Sequence, residues 1–208
     1  MPFLTRRLAL MGLMTPVLAA CSQSKSAAVG GPVPNDMSLG NPAAKVSVVE
    51  YASVACPVCG RWYKEVWPAF KAKYVDSGKV RYTLREMLVG DANEEAIAAS
   101  GFLLARCAGK DRYFAVVDAI FKSQPGLFND PNATLVGVAK TFGLDEVQYD
   151  ACVRNEVALN ALSVRVADNA KAGSVDATPT FTINGKALEA GYQPLAALDA
   201  AIAAAQSA

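Results

Sequence analysis

The sequence predicts a mixed α/β domain with a helical block inserted into it. Three observations say so. A β-rich run, Lys45-Val-Ser-Val-Val-Glu-Tyr51, leads within a few residues to Cys56-Pro57-Val58-Cys59 and a helical stretch. Between Met87 and Ser174 no stretch has strand character, and apolar residues recur at helical spacing. Strand character returns at Thr180-Phe-Thr-Ile183, where Asn184-Gly185 is a strong hairpin turn signal.

Taken in order, residues 45–51 are the first strand and residues 52–56 a short loop. Pro57 opens a helix expected to run to about Val75. Proline suits the first turn, where an N–H would have no helical partner anyway. Pro68 lies inside this stretch and should kink it, and Ser77-Gly78 ends it. Residues 80–85 alternate and form the second strand. The helical block follows. Residues 93–107 are rich in Ala, Leu and Glu, and residues 112–123 carry Phe114, Val117, Ile120 and Phe121 at helical spacing. Turns at Asp130-Pro131-Asn132 and Gly143-Leu144-Asp145 start the next helices, the later ones covering 146–155 and 156–171. Residues 180–183 and 186–189 form a hairpin, and residues 195–204 the last helix. Without the block a small α/β unit remains, so about residues 90–173 are read as an insertion into it.

The chain has 208 residues, 52% of them hydrophobic and 19% charged, with a net charge of +1. That is enough for one domain with a real core. It offers no basic surplus for a polyanion, so no nucleic-acid partner is expected. The chain has no histidine. Ser-His-Asp and Cys-His triads and His-ligated metal sites are thereby excluded, leaving cysteine as the candidate nucleophile.

Arg6-Arg7 followed by an apolar run over residues 8–18 has the pattern of an export signal. The run is too short for a membrane span, which takes about 20 residues. It ends in Leu18-Ala19-Ala20-Cys21, which resembles a bacterial lipobox. That resemblance implies cleavage before Cys21 and lipid on its sulfur; ordinary cleavage after a small residue would leave Cys21 incidental. Arg6-Arg7 matches a twin-arginine signal only weakly, because Ala9 stands where that motif prefers a bulky apolar residue, so general export is expected. Residues 21–38 are rich in Ser, Gly and Pro, show no heptad, and read as a flexible tether, so a monomer is expected. The expected parts are a signal over 1–20, lipidated Cys21 with its tether over 21–38, and a folded domain over 39–208.

Cys56-Pro57-Val58-Cys59 is the sharpest chemical signal. Residues three apart in a helix share a face, with Cα atoms about 5–6 Å apart, which suits a disulfide. The helix N-terminus aims free N–H groups at Cys56 and stabilises its thiolate. The alternatives are half of a zinc site or a structural bridge. Zinc needs two further ligands, and only Cys107 and Cys152 remain, each alone in a helix. No metal and no cofactor beyond the redox pair is expected. Pro179 stands just before a core strand, where a proline cannot join the ladder normally and where a cis peptide fits.

Together these stretches resemble the DsbA-like branch of the thioredoxin superfamily. Gly40-Asn-Pro-Ala-Ala-Lys-Val-Ser-Val-Val-Glu50-Tyr51 leading to Cys56-Pro57-Val58-Cys59 matches that branch's approach to its active site. Thr178-Pro179-Thr180-Phe181 with Asn184-Gly185 matches its cis-proline strand and hairpin. The resemblance covers about Leu39 to the C-terminus. It implies a thioredoxin fold with a helical subdomain. Cys56 would be the exposed, attacking thiol, Cys59 the buried, resolving one, and Thr178 with Pro179 the substrate contact. The strong oxidases of the family carry histidine where this chain has Val58, which leaves the direction of exchange open.

Glu50 lies near the end of the first strand, where a carboxylate is costly unless it has a task. The family places an acidic residue there, proposed to move a proton to the buried thiol; the alternative is a partly exposed strand end. Arg81 and Arg85 are its candidate partners, or else a solvated face. Cys107 and Cys152 are the two of the five cysteines left over, and in an oxidising compartment a bridge between them is expected, with two separately buried thiols as the alternative. Trp62, Tyr63, Trp67 and Phe70 read as core, with Trp62 a candidate for the substrate border. The expected activity is disulfide exchange with unfolded or partly folded exported proteins, in the direction of disulfide formation. A membrane partner similar to DsbB would reoxidise the pair. The alternatives are an isomerase or reductase kept reduced by a membrane thiol donor, and a periplasmic thiolate metal chaperone. The expected location is the periplasm on a lipid anchor. Ser22-Gln23 lacks the aspartate that retains many lipoproteins at the inner membrane, which points to the outer one.

Overall fold

Strands form where β-branched and aromatic residues cluster. The computed structural model describes Met1 and residues 35–207. In it β1 (Met37–Gly40), β2 (Val46–Ala52), β3 (Val80–Glu86), β4 (Thr180–Ile183) and β5 (Lys186–Ala187) build one sheet in the order β1-β3-β2-β4-β5. β2 and β3 run parallel, with Val48 opposite Tyr82 and Glu50 opposite Leu84; the other pairings are antiparallel. β2 is central, and every residue of it except Ser47 is buried. Its parity divides the interior. Val46, Val48 and Ala52 join the main core, while Val49 and Tyr51 pack with Met87 and Val175 on the opposite face. Glu50 therefore points with Val48 and Ala52 into the larger core.

Among the described residues nine α-helices surround the sheet. α1 (Pro57–Glu65) and α2 (Trp67–Phe70) are separated at Val66, and a π-helical turn, Lys71–Val75, completes the stretch. Pro68 has no N–H for the carbonyl four residues back, so the expected kink falls just before it. α3 (Ala92–Cys107), α4 (Tyr113–Lys122), α5 (Gln124–Leu127), α6 (Pro131–Thr141), α7 (Glu146–Val153) and α8 (Glu156–Gly173) form the block between β3 and β4. Asp91 and Asp145 close capping boxes with Glu94 and Gln148, while Asp130 and Asn155 cap α6 and α8. α9 (Leu195–Gln206) packs on β2 and β4. No helix among the described residues is long and apolar enough to cross a membrane.

Two local expectations change. β1 has no counterpart in the sequence reading, which placed Met37 and Ser38 in the tether. They pair along the edge of β3, and Asp36 just before them is ion-paired with Arg85 at 3.0 Å. A four-residue strand with no β-rich pattern is made by its partner. At the other edge, Asn184 and Gly185 both take positive φ, as a tight hairpin demands, but β5 ends at Ala187 rather than at residue 189. The chain turns back there, and the Gly191 N–H reaches the Pro179 carbonyl at 2.7 Å.

Candidate active site

The chain leaves central β2, turns at Ser53, and starts α1 at a cysteine. Cys56 is the N-cap, in extended conformation, with Pro57 in the first turn. Its sulfur takes the place of a capping oxygen and accepts the Cys59 N–H at 3.4 Å. The Cys56 thiol also donates to the Thr178 carbonyl at 3.5 Å, and Thr178–Pro179 is a cis peptide. Residues 56 and 178, far apart in sequence, thus meet at one sulfur. Cys56 is half-buried and Cys59 fully buried, both as free thiols.

The two thiols sit in opposite electrostatic settings. A hydrogen bond from Cys59 lowers the Cys56 pKa from 9.0 to about 6; burial works against it, while Thr178 and the N–H groups of Cys59 and Val58 assist. Burial pushes Cys59 well above its ordinary value, and Cys56 and the charge on Glu50 push it further. Only a thiolate attacks, so the site has one nucleophile near neutral pH. Val58 is 41% exposed beside it and presents no charge.

Glu50 is 0% exposed, so it is no solvated strand end. The Tyr82 hydroxyl donates a short hydrogen bond to its Oε2, and Oε1 has no partner. Burial raises its pKa from 4.5 to about 8 against the opposing pull of Tyr82. Neither Arg81 nor Arg85, the partners expected from the sequence, lies on its face of the sheet. Parallel register puts Arg81 and Arg85 on the other face of β3, where Arg81 reaches Ser38 and Arg85 bonds Asp36 and the Tyr51 hydroxyl. Arg85 is 1% exposed, so it is not a solvated face either. Trp62 is likewise removed from the substrate border. It is fully buried, its indole N–H donates to the Gln193 carbonyl at 3.0 Å, and its ring packs 4.8 Å from Phe181.

Two buried groups that support the site lay outside the sequence reading. Gln124 of α5 donates from Nε2 to the carbonyls of both Val54 and Cys56, each at 2.9 Å. Its carboxamide fills the space beside Gly60, where an added Cβ would lie 1.9 Å from Oε1. Glu86, at the end of β3, accepts from Arg106 of α3, the Tyr113 hydroxyl of α4 and Arg165 of α8. Neither has a local signal; the only hint is Arg85-Glu86 closing an otherwise uncharged strand end near the block.

Cys107 at the end of α3 and Cys152 in α7 form a disulfide, with Cα atoms 5.9 Å apart, within the helical block and separate from Cys56 and Cys59. Cys21 lies outside the described residues. Among the described residues there is no group of three or more His, Cys, Asp or Glu placed to hold a metal ion.

A family model described as thioredoxin matches residues 33–204. A Rickettsia conorii protein provisionally named a protein-disulfide oxidoreductase is 32% identical over 154 residues, which make up 73% of this chain and 54% of that protein. The chain thus spans about half the length of such relatives. Among solved structures, α-DsbA1 of Wolbachia pipientis superposes with a TM-score of 0.74 at 25% identity, covering 85% of this chain and 93% of that one. A protein-disulfide isomerase from Novosphingobium aromaticivorans gives 0.66 at 25% identity, covering 81% and 96%.

Proposed function

As the chain belongs to the DsbA-like branch of the thioredoxin superfamily, we propose that it is a thiol–disulfide oxidoreductase that forms disulfides in exported polypeptides through Cys56 and Cys59. One observation carries this reading: two thiols three residues apart, one with its pKa lowered to about 6 and the other raised well above its ordinary value. A substrate thiolate attacks Sγ of Cys56 in the oxidised pair, and Cys59 departs. A second substrate thiolate then attacks the substrate sulfur of the mixed disulfide and releases Cys56. Two electrons pass from the substrate dithiol to the pair. The low pKa of Cys56 makes it the better leaving group, which drives this direction.

Glu50 supplies the proton that the departing Cys59 takes up. Thr178 and Pro179 flank the sulfur, and an extended substrate chain aligns there by backbone hydrogen bonds, as at a strand edge. A membrane partner similar to DsbB accepts the electrons. Cys107–Cys152 is structural. Val58 favours a second reading, an isomerase or reductase kept reduced by a membrane thiol donor, because it adds no charge or hydrogen bond to the Cys56 thiolate.

The redox state of Cys56 and Cys59 in growing cells decides between the two: oxidised for disulfide formation, reduced for isomerisation or reduction. The roles of the cysteines are tested by acid quenching and alkylation. Cys59→Ala should trap substrates on Cys56, and Cys56→Ala should trap almost none; the reverse pattern overturns the assignment.

DsbA-like proteins are in general exported or periplasmic. For this chain the proposal is a periplasmic monomer, with a signal over residues 1–20, lipid on Cys21, a linker to β1, and one folded domain with residues 90–173 inserted. Ser22 after the cysteine favours the outer membrane. Cys21→Ser should release soluble protein; equal partitioning of both forms rejects the anchor.

A further inference from the structure

The buried carboxyl of Glu50 is held at one oxygen and open at the other. The Tyr82 O–H donates to Oε2, and Oε1 has no partner. The Tyr63 hydroxyl in turn lies 3.3 Å from that of Tyr82. Packing alone does not call for either hydroxyl. Tyr82 already lies 4.6 Å from the ring of Trp67, and Tyr63 3.9 Å from that of Phe121, contacts that phenylalanine would also make. The hydroxyls are therefore there for polar work.

The titratable groups coupled to Glu50 come from β3 and from the start of α1. β3 supplies Tyr82, α1 supplies Tyr63 and Cys59, and the helix cap supplies Cys56. Asp118 of α4 acts on Tyr63, and β4 sets the apolar Phe181 opposite. Among the described residues no Lys or Arg acts on the carboxyl. This distinction matters. A cation in this space would hold Glu50 ionised near neutral pH and leave it no proton to give. A neutral phenol offers a charge-assisted hydrogen bond to the carboxylate while letting the acid form exist.

From this placement we infer that Tyr82, backed by Tyr63, is a positioning residue for disulfide exchange: it anchors Oε2, leaves Oε1 open for proton exchange with Cys59, and sets where Glu50 ionises. The inference rests on the exchange reading of Cys56 and Cys59. When Cys59 leaves the disulfide as a thiolate, the O–H bond of Glu50 breaks and an S–H bond forms, and Tyr82 donates to the new carboxylate. When Cys59 attacks a mixed disulfide on Cys56, the proton returns to Glu50. No electrons pass through Glu50 or either tyrosine. A pKa near 8 keeps Glu50 largely protonated at neutral pH, as the first step requires, and leaves a carboxylate fraction that grows with pH for the second.

The test follows the second of these steps. The reduced full-length protein is reacted with a nitrothiobenzoate disulfide, which first caps Cys56. The second burst of thiol release then reports attack by Cys59. The rate of that burst is measured from about pH 5 to about pH 10, a range spanning the Cys and perturbed Glu titrations. Tyr82→Phe should shift the rate profile to higher pH, with a loss of about tenfold at pH 7 that disappears at high pH, as expected for removing a hydrogen bond to a charged group. Tyr63→Phe should shift it the same way by less, and Glu50→Gln should abolish the limb. The first burst, which caps Cys56, should keep its pH dependence in Tyr63→Phe, whose hydroxyl meets Tyr82 rather than the sulfur. A wild-type profile in Tyr82→Phe, or one slowed equally at every pH, overturns the inference. If Tyr82→Phe does not fold, an unshifted Tyr63→Phe profile overturns it instead. A wild-type protein with no second burst at any pH would defeat the exchange reading itself rather than the role of Tyr82.

Discussion

Glu50 and Glu86 lie on neighbouring strands of one sheet, 0% and 1% exposed, and the chain treats them in opposite ways. Glu86 is saturated. Oε1 accepts from Arg106 and from the Tyr113 hydroxyl at 3.0 Å, and Oε2 accepts from Arg165 at 3.0 Å. Its backbone carbonyl takes Asn169 as well. Glu50 has one phenol and one open oxygen. A carboxylate with two cations joins elements, here three helices of the block to one strand. A carboxyl left short of donors keeps the ability to gain and lose a proton. Burial alone does not separate these roles; the count and charge of the donors does.

Glu86→Gln puts this contrast to its hardest test. Removing the charge leaves two arginines without their anion, and breaking a buried pair in this way should cost about 3–5 kcal/mol, at the low end because both arginines retain some exposure. Urea unfolding measures it, and the rate of Cys56 alkylation should not change. A loss below about 1 kcal/mol, typical of exposed pairs, would reduce Glu86 to a surface-like ion pair.

Glu50→Gln should act in the other direction, and only at higher pH. Glu50 ionises near 8 in the folded protein, against 4.5 ordinarily. Between these values the native state holds a proton that the unfolded chain has lost, so the stability of the wild type falls as pH rises through that window. The Gln variant lacks this slope. Relative to wild type it should gain about 2–4 kcal/mol between pH 5 and pH 8, discounted from the full linkage value for water entry. Parallel pH dependence of unfolding in the two proteins would contradict a buried, protonated Glu50.

The smallest effect sharpens the contrast most. Tyr113→Phe removes one neutral donor from Glu86 and leaves both arginines, so it should cost about 1 kcal/mol and leave the pH profile of thiol exchange untouched. The same change at Tyr82 should move that profile. If both variants behave alike in stability and kinetics, the two glutamates do not differ as their surroundings imply.

Local chemistry was legible in the sequence. Pro57 in the first turn, two cysteines three apart and Asn184-Gly185 each specify their own conformation, and those elements stand where sequence spacing puts them. The partner of Glu50 was not legible, because it depends on the register of two parallel strands. Arg81 and Arg85 carry the attractive charge, but pairing Glu50 with Leu84 turns Tyr82 to its face and both arginines away. Asp36 and β1 were missed for a related reason, since their order comes from Arg85 and the β3 edge rather than from their own residues. Gln124 and Glu86 carry no local mark, because helices distant in sequence bury them.

The bond pattern of Gln124 has a mechanical consequence. One carboxamide clasps the carbonyls of Val54 and Cys56, and Gly60 leaves it no slack. Swinging the inserted helices aside would break both bonds and leave two carbonyls of the cysteine loop without their donor, so motion of the insertion is coupled to that loop. Amide hydrogen exchange at residues 58–60 should then rise and fall with that of α4 and α5, so that breathing of the insertion is felt directly at Cys56.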